Sequence, residues 1–258
     1  MKAMILAAGL GTRLRPLTDE RPKALVEVAG RTLLEITLAR LREFGFREVI
    51  INVHHLAGMV LEYLKANQNF GMRIEVSQEE VLLDTGGGLK KAAWFFLNDS
   101  NHSNEPFILH NVDVVSTIDL ARMVQFHIEH QALATLAVKD RRTQRYLLFD
   151  DQHQLCGRQN GRDQAPEIVR SPSPAQALAF SGIHIISPRL LTMMTEEGAF
   201  PIIATYLRLA ARNRKILAFR ADEYYWRDLG KPEDLRQAER DMKELAILPS
   251  RLPSALST

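Results

Sequence analysis

Up to residue 140 the chain alternates short apolar runs with stretches of helical periodicity, and few folds accommodate that alternation. The runs Ala3–Ala7, Glu48–Val53, Arg73–Val76, Phe107–Leu109 and Ala134–Val138 predict strands. Between them, Leu33–Phe44, Ala57–Asn67, Leu89–Leu97 and Leu120–His130 predict helices, with Leu34, Leu38, Leu41 and Leu61, Leu64 at helical spacing. Strands joined through helices make βαβ units, so the expected core is a mainly parallel mixed sheet covered on both faces. Ligands of such sheets bind beyond the carboxyl ends of the strands. The first of those ends runs directly into a glycine-rich turn at Gly9 and Gly11.

After Asp140 the pattern changes. Tyr146–Phe149 and Gln154–Gly157 predict a hairpin around Asp150–His153. The polar stretch Arg158–Gln176, with prolines at 166, 172 and 174, predicts a mobile loop. Order returns with the strand Leu178–Ile186, the helix Pro201–Arg212, the strand Ile216–Arg220 and a last helix from Pro232 to about Leu245. Residues 246–258 hold proline, serine and leucine and are expected to be loosely ordered. With no internal repeat, one domain over residues 1–245 is the expectation.

Composition removes several classes. A hydrophobic share of 46% and a charged share of 25% are those of an ordinary globular protein. A net charge of +2, with basic and acidic residues interleaved, argues against nucleic-acid binding. No apolar run approaches the ~20 residues of a membrane helix. The start MKAMILAAGLG carries one lysine and a short apolar run, but a phosphate-binding turn explains it better than a signal peptide does. The single cysteine, Cys156, cannot close an internal disulfide and is expected to be structural, which fits a cytoplasmic protein.

The stretch Met4–Val28 carries the chemistry. Glycines let backbone N–H groups approach a ligand, and Arg13, Arg15 and Lys23 supply fixed cations for an anion of several charges, a nucleoside triphosphate being the natural candidate. A Walker A loop would need Lys-Ser or Lys-Thr after the glycines, and none follows. A dinucleotide fingerprint fails at its third glycine, where Leu14 stands, and His54-His55 occupy the place of a ribose-binding acid. The order Gly9, Gly11, Thr12, Arg13, Leu14, Pro16, Leu17, Thr18, Pro22, Lys23 resembles the signature of sugar-phosphate nucleotidylyltransferases, G-x-G-T-R-L-x-P-L-T followed by P-K. The resemblance extends from Met1 to about Leu245. Within the family, L-D-T-G-G-G-L at residues 83–89 and the compact length most resemble the N-acetylmuramate 1-phosphate uridylyltransferases.

That resemblance implies a Rossmann-like, GT-A-like three-layer α/β sandwich without a β-helix domain. Its nucleotide-binding half would be residues 1–140 and its acceptor half 141–230. It implies transfer of a nucleotidyl group from a triphosphate, UTP first, to a sugar 1-phosphate of the amino-sugar type, releasing pyrophosphate. Asp113, in Asn111-Val112-Asp113, resembles the family's metal-binding N-[GS]-D, and Asp228, in Trp226-Arg227-Asp228-Leu229-Gly230, its second ligand; Mg²⁺ is the implied cofactor. Arg13 suits the departing pyrophosphate and Lys23 the α-phosphate, where charge develops. Ala8, Gly9, Gly11 and Thr12 are expected at the phosphates. Gln78, Thr85, Gly86 and Gly87 are expected at the base and ribose, the glycine amides being free at a helix start. For the acceptor the expected residues are Asn111, Phe180, Gly182 and Arg142, the last within the basic cluster Lys139, Arg141, Arg142, Arg145, which would equally suit a solvated edge.

The partners implied are small molecules, with no nucleic acid and no membrane, on a monomer or small homo-oligomer. Two rivals use other features: the same chemistry with GTP and mannose 1-phosphate or CTP and phosphocholine, and a non-catalytic module that binds a nucleotide sugar and regulates a partner. Loss of Arg13, Lys23 or either aspartate would favour the regulator; all four are present.

Overall fold

The computed structural model describes residues 1–98, 104–161, 164–171 and 174–245, together with 247, 249 and 252. In chain order the first 140 residues open with β1 (Lys2–Leu6), β2 (Glu27–Val28), β3 (Arg31–Thr32), α1 (Leu33–Glu43), β4 (Glu48–Val53), α2 (Ala57–Ala66) and β5 (Arg73–Gln78). There follow α3 (Asp84–Lys91), α4 (Trp94–Leu97), β6 (Phe107–Asn111), β7 (Val114–Ser116), α5 (Leu120–Glu129) and β8 (Ala134–Lys139). The remainder is β9 (Arg145–Phe149), β10 (Leu155–Asn160), β11 (Glu167–Ile168), β12 (Gln176–Ile186), α6 (Ile202–Ala211), β13 (Ile216–Arg220), β14 (Trp226–Asp228) and α7 (Pro232–Leu245).

One ten-stranded mixed sheet runs β11-β10-β9-β12-β6-β1-β4-β5, with β8 paired to β12 and β13 to β8. The β6-β1-β4-β5 stretch is parallel, as βαβ connections require. β12 runs antiparallel to β6, β8 and β9 and ties the second half into the first. Alternate residues of each strand feed opposite faces. Ala3 and Ile5 of β1 pack with α1, α2, α5 and α7, while Met4 packs with α3, α4 and α6. Both faces being covered, the strands read as unbroken apolar runs.

Local chemistry fixes the helix starts. Thr32 caps α1 by accepting the Glu35 amide at 3.0 Å, and Glu35 returns to Arg31 Nε at 2.8 Å. Asp119 caps α5, its Oδ1 taking the Arg122 amide at 3.0 Å, so the helix does not draw on the hydroxyls of Ser116 or Thr117. Ser116 and Thr117 serve a short ribbon instead: β7 pairs antiparallel with β14, and Thr117 Oγ1 accepts the Tyr225 amide at 3.0 Å. The single helix predicted at Leu89–Leu97 starts five residues earlier, at Asp84, and breaks at Ala92–Ala93. The stretch expected as a mobile loop carries β10 as far as Asn160 and β11 within it; its residues 162, 163, 172 and 173 lie outside the described ones, as does most of the tail from 246. Cys156 is buried and donates to the Leu148 carbonyl at 3.2 Å. Among the described residues no helix is long and apolar enough to cross a membrane.

Three histidines lie inside. Burial pushes His110 and His127 down to about 4 and His184 to about 3, from a usual 6.5. They stay neutral in the fold, while in the unfolded chain they take up protons below pH 6.5. Stability is therefore undiminished above pH 6.5 and declines as the pH falls from there toward 4, because the unfolded state binds the extra protons. The unfolding free energy from urea titrations should drop across this window by on the order of 1 kcal/mol per pH unit for each histidine, and the urea midpoint with it. A midpoint that stays flat from pH 6.5 to about 5 would contradict it.

Candidate active site

Two cavities open side by side at the carboxyl ends of β1, β4 and β6. The first, about 440 Å³, is lined by Leu6–Gly9, Lys23, Asn52, Leu82, Asp84, Thr85, Asn111–Asp113 and Ala199. The second, about 530 Å³, is lined by Val114, Arg141, Thr143, Arg145–Leu147, Arg158, Asn160, Phe180–Gly182, Pro201, Ile203, Trp226 and Asp228. Asp84 and Asn111 belong to both. Asp84 has a left-handed φ of +59°, a conformation aspartate tolerates because its carboxylate can bond locally, here to the Thr85 amide at 2.6 Å.

Asp113 and Asp228 meet where the cavities join. Asp113 follows β6, and β14 lays Asp228 opposite Val114 while the Leu229 amide donates to the Asp113 carbonyl at 2.7 Å. Burial, then the charge of Asp113, raises the Asp228 carboxyl above its usual range; Lys23 and Arg13 pull it back. Lys23 is 9% exposed and its ammonium is ion-paired with Asp113 Oδ2. Arg13 lies beside Asp228: a Cβ at Gly230 would fall 2.5 Å from its Nη2 and 2.6 Å from Asp228 Oδ1. Among the described residues no group of three or more histidine, cysteine, aspartate or glutamate side chains could hold a metal. Two close carboxylates with hard oxygen donors and a raised carboxyl fit a cation that draws its remaining ligands from phosphate and water, as magnesium does.

Of the residues expected from sequence, Ala8, Gly9, Lys23, Thr85, Asn111 and Asp113 line the first cavity, and Asn111, Phe180, Gly182 and Asp228 the second. Gly11, Thr12 and Arg13 line neither. Gly11 makes the turn, with φ +66° and its carbonyl taking Thr18 Oγ1 at 2.8 Å. Gly86 and Gly87, expected at the base and ribose, line neither cavity. Both amides already donate to the Phe200 carbonyl, at 2.8 and 3.3 Å, and a Cβ would strike the Phe200 ring at position 86 and the Gly198 carbonyl at position 87. They are packing glycines. Gln78 is exposed outside both cavities, with its carbonyl on Lys91 Nζ at 2.6 Å. Arg142 is exposed and absent from the second cavity, where Arg141 stands instead.

Arg141 stacks on Trp226 at 4.1 Å from the ring centroid and donates from Nη2 to the Phe180 carbonyl at 2.9 Å, leaving its buried Nε without a partner. Lys139 of the same cluster is taken up by main chain, its ammonium donating to the Ala221 carbonyl at 2.7 Å. Sequence reasoning also missed Asn52 and Asp84. Asn52 is a single polar residue in an apolar strand with no spacing signal, placed opposite Leu6 by the pairing of β4 with β1; Asp84 reaches the cavities as the first residue of α3.

The sequence profile described as Nucleotidyl transferase matches residues 2–244. The chain belongs to the nucleotidyl transferase family. Over 254 residues it is 34% identical to an N-acetylmuramate alpha-1-phosphate uridylyltransferase of Caulobacter vibrioides, covering 94% of this chain and 97% of that protein. It is 29% identical over 239 residues to a probable mannose-1-phosphate guanylyltransferase of Oryza sativa subsp. japonica, covering 91% of this chain and 62% of that longer protein. A solved UDP-glucose pyrophosphorylase complexed with UDP-glucose superposes with a TM-score of 0.76 at 17% identity, over 95% of this chain and 98% of that one, and shares the fold. The nucleotidyltransferase is an enzyme of the class to which these uridylyl- and guanylyltransferases belong.

Gly230 is the sharpest geometric constraint on this enzyme's charged centre. G230A should displace Arg13 and Asp228 and lower kcat by about a hundredfold, because small misplacements of reacting groups cost that much. The fold should persist, because the Arg13 side chain is exposed. Native turnover in this variant would show that the Arg13–Asp228 approach is not used.

Proposed function

We propose that the enzyme transfers the uridylyl group of UTP to the 1-phosphate of an amino sugar, such as N-acetylmuramate 1-phosphate, forming a UDP-sugar and pyrophosphate. The observation that carries a two-substrate reading is the shared rim: two cavities meet at Asp84 and Asn111, with Asp113 in one and Asp228 in the other. Identity of 34% with the Caulobacter uridylyltransferase over 97% of its length supports this donor and acceptor.

The triphosphate occupies the first cavity, against Ala8, Gly9 and Thr85, and the sugar phosphate the second. An acceptor phosphate oxygen attacks the α-phosphorus in line. The bond from that phosphorus to the bridging oxygen breaks, and its electrons leave with pyrophosphate. The attacking oxygen is already anionic, so no side chain need remove a proton. Catalysis then rests on alignment and charge neutralisation. Lys23 stands at the junction, able to exchange Asp113 for the α-phosphate as charge grows there. Arg13 meets the departing end with a planar fork. Asp113 and Asp228 would hold Mg²⁺, which when bound neutralises phosphate oxygens. Arg141, held flat by Trp226, presents its guanidinium charge at the wall of the second cavity to the acceptor phosphate. The rice relative favours a second reading, GTP with mannose 1-phosphate.

A pyrophosphate-release screen of the four nucleoside triphosphates against sugar 1-phosphates with Mg²⁺ tests the proposal. UTP with an amino sugar 1-phosphate should give the highest kcat/KM, and a flat response to every pair sinks the enzymatic reading. D113N should cost about a hundredfold or more in kcat, on the scale of losing one transition-state electrostatic contact. R141A should raise the acceptor KM about tenfold, as loss of a charged hydrogen bond does, while R142A stays near native. The reverse order would return the role to Arg142.

A further inference from the structure

The first cavity lies between two walls, the Ala7–Gly9 turn and the Leu82–Thr85 segment. One buried chain of hydrogen bonds joins them. Asn52 Oδ1 accepts the Ala7 amide at 2.8 Å, Asn52 Nδ2 donates to Glu79 Oε1 at 2.7 Å, and Glu79 Oε2 accepts the Leu83 amide at 2.9 Å. Asn52 and Glu79 are each 2% exposed. Their backbones are anchored at the sheet end, since Asn52 pairs with Ser77 across β4 and β5 and the Glu79 amide donates to the Val53 carbonyl at 2.8 Å.

The third glycine of the triplet makes room for this chain. A Cβ at Gly88 would lie 2.7 Å from both Asn52 Nδ2 and Glu79 Oε1. Neither of these partners of the Glu79 carboxylate is a cation. Burying a carboxylate is costly, and apolar side chains would join two loops at lower cost. What the polar chain adds is direction: each atom has one partner, so the spacing of the walls is set by bond lengths.

We infer that Asn52 and Glu79 are positioning residues that fix the width of the nucleotide cavity before UTP arrives. The inference rests on reading this cavity as the nucleotide site. A preset gap spares the ordering of the walls on binding, so loss of the bridge weakens nucleotide binding and leaves the acceptor's cavity as it was.

Reversal of the bond polarity is the test. In N52D two carboxylates face each other, and in E79Q the new amide must turn an N–H toward another N–H. In N52D/E79Q the carboxylate at 52 accepts from Ala7 and from the amide at 79, whose oxygen accepts from Leu83, so every bond returns. Each single variant should raise the KM for UTP about tenfold, on the scale of one lost buried hydrogen bond. The acceptor KM should stay within about twofold, the pattern of a loss confined to one substrate's binding. The double variant should recover the native KM for UTP. A double variant as impaired as the singles, an unfolded double variant, or singles with native KM for UTP overturns the inference. So does an equal rise in both KM values, which a merely structural role would give.

Amide exchange at Ala7 and Leu83 reads the bridge without catalysis. Slow exchange in the native and double proteins with fast exchange in the singles supports it, and equal exchange in all four overturns it. Should the native protein turn over no UTP, the functional reading fails and the exchange pattern still decides whether the bridge sets the walls.

Discussion

The site depends on two carboxylates being forced together. A ribbon of two three-residue strands, β7 and β14, sets Asp228 beside Asp113, and each strand comes from a different half of the chain. Like charges at such separation oppose folding unless something compensates. Lys23 answers on the Asp113 side as a buried ion pair, and Arg13 approaches Asp228 over Gly230. The ribbon is held by main-chain bonds from Leu229 to Asp113 and from Thr117 to Tyr225, at 2.7 and 3.0 Å, and by the Trp226 indole on the Ser181 carbonyl at 2.7 Å. A charged centre that an apolar core would never assemble, two carboxylates balanced by Lys23 and Arg13, is thereby suspended over the sheet's carboxyl edge.

Glycines in this enzyme act chiefly by what they leave out. Gly182, at φ +76°, lets β12 shift register next to Asn111, whose Nδ2 would stand 2.9 Å from a Cβ there. Gly86 and Gly87 let α3 close on the Gly198–Phe200 segment, and Gly88 clears the Asn52–Glu79 bridge. The register shift of β12 falls at the wall of the second cavity, and the bridge joins two walls of the first. Both cavities lie where parallel pairing gives way to antiparallel, at β6 between β1 and β12.

Much of the fold was legible because the central strands, such as β1, β4, β6 and β8, are buried on both faces and the helices chiefly on one, and these leave different periods in the sequence. Glu48–Val53 and Ile216–Arg220 match the observed strands end to end. The paired ribbons were not legible: Val114–Ser116 and Trp226–Asp228 are too short to show a period, and their partners are remote. Site residues followed the same division. Asp113 and Lys23 stand in local motifs, whereas Arg141 and Arg142 are neighbours in sequence with no local cue as to which one faces the cavity. A run of glycines signals close approach without naming the approaching group; in the fold Phe200 comes up to Gly86, the Gly198 carbonyl to Gly87, and Asn52 and Glu79 to Gly88.

By itself the sequence determined the alternation of elements, the glycine turn after β1 and the list of charged groups, since these rest on local steric and hydrophobic preferences. Tertiary structure alone decided which arginine enters the second cavity, what fills the space above Gly86–Gly88, and that Asp113 and Asp228 share one site. Those outcomes turn on strand pairings between distant segments, and a pairing is a property of two stretches of chain that neither stretch encodes alone.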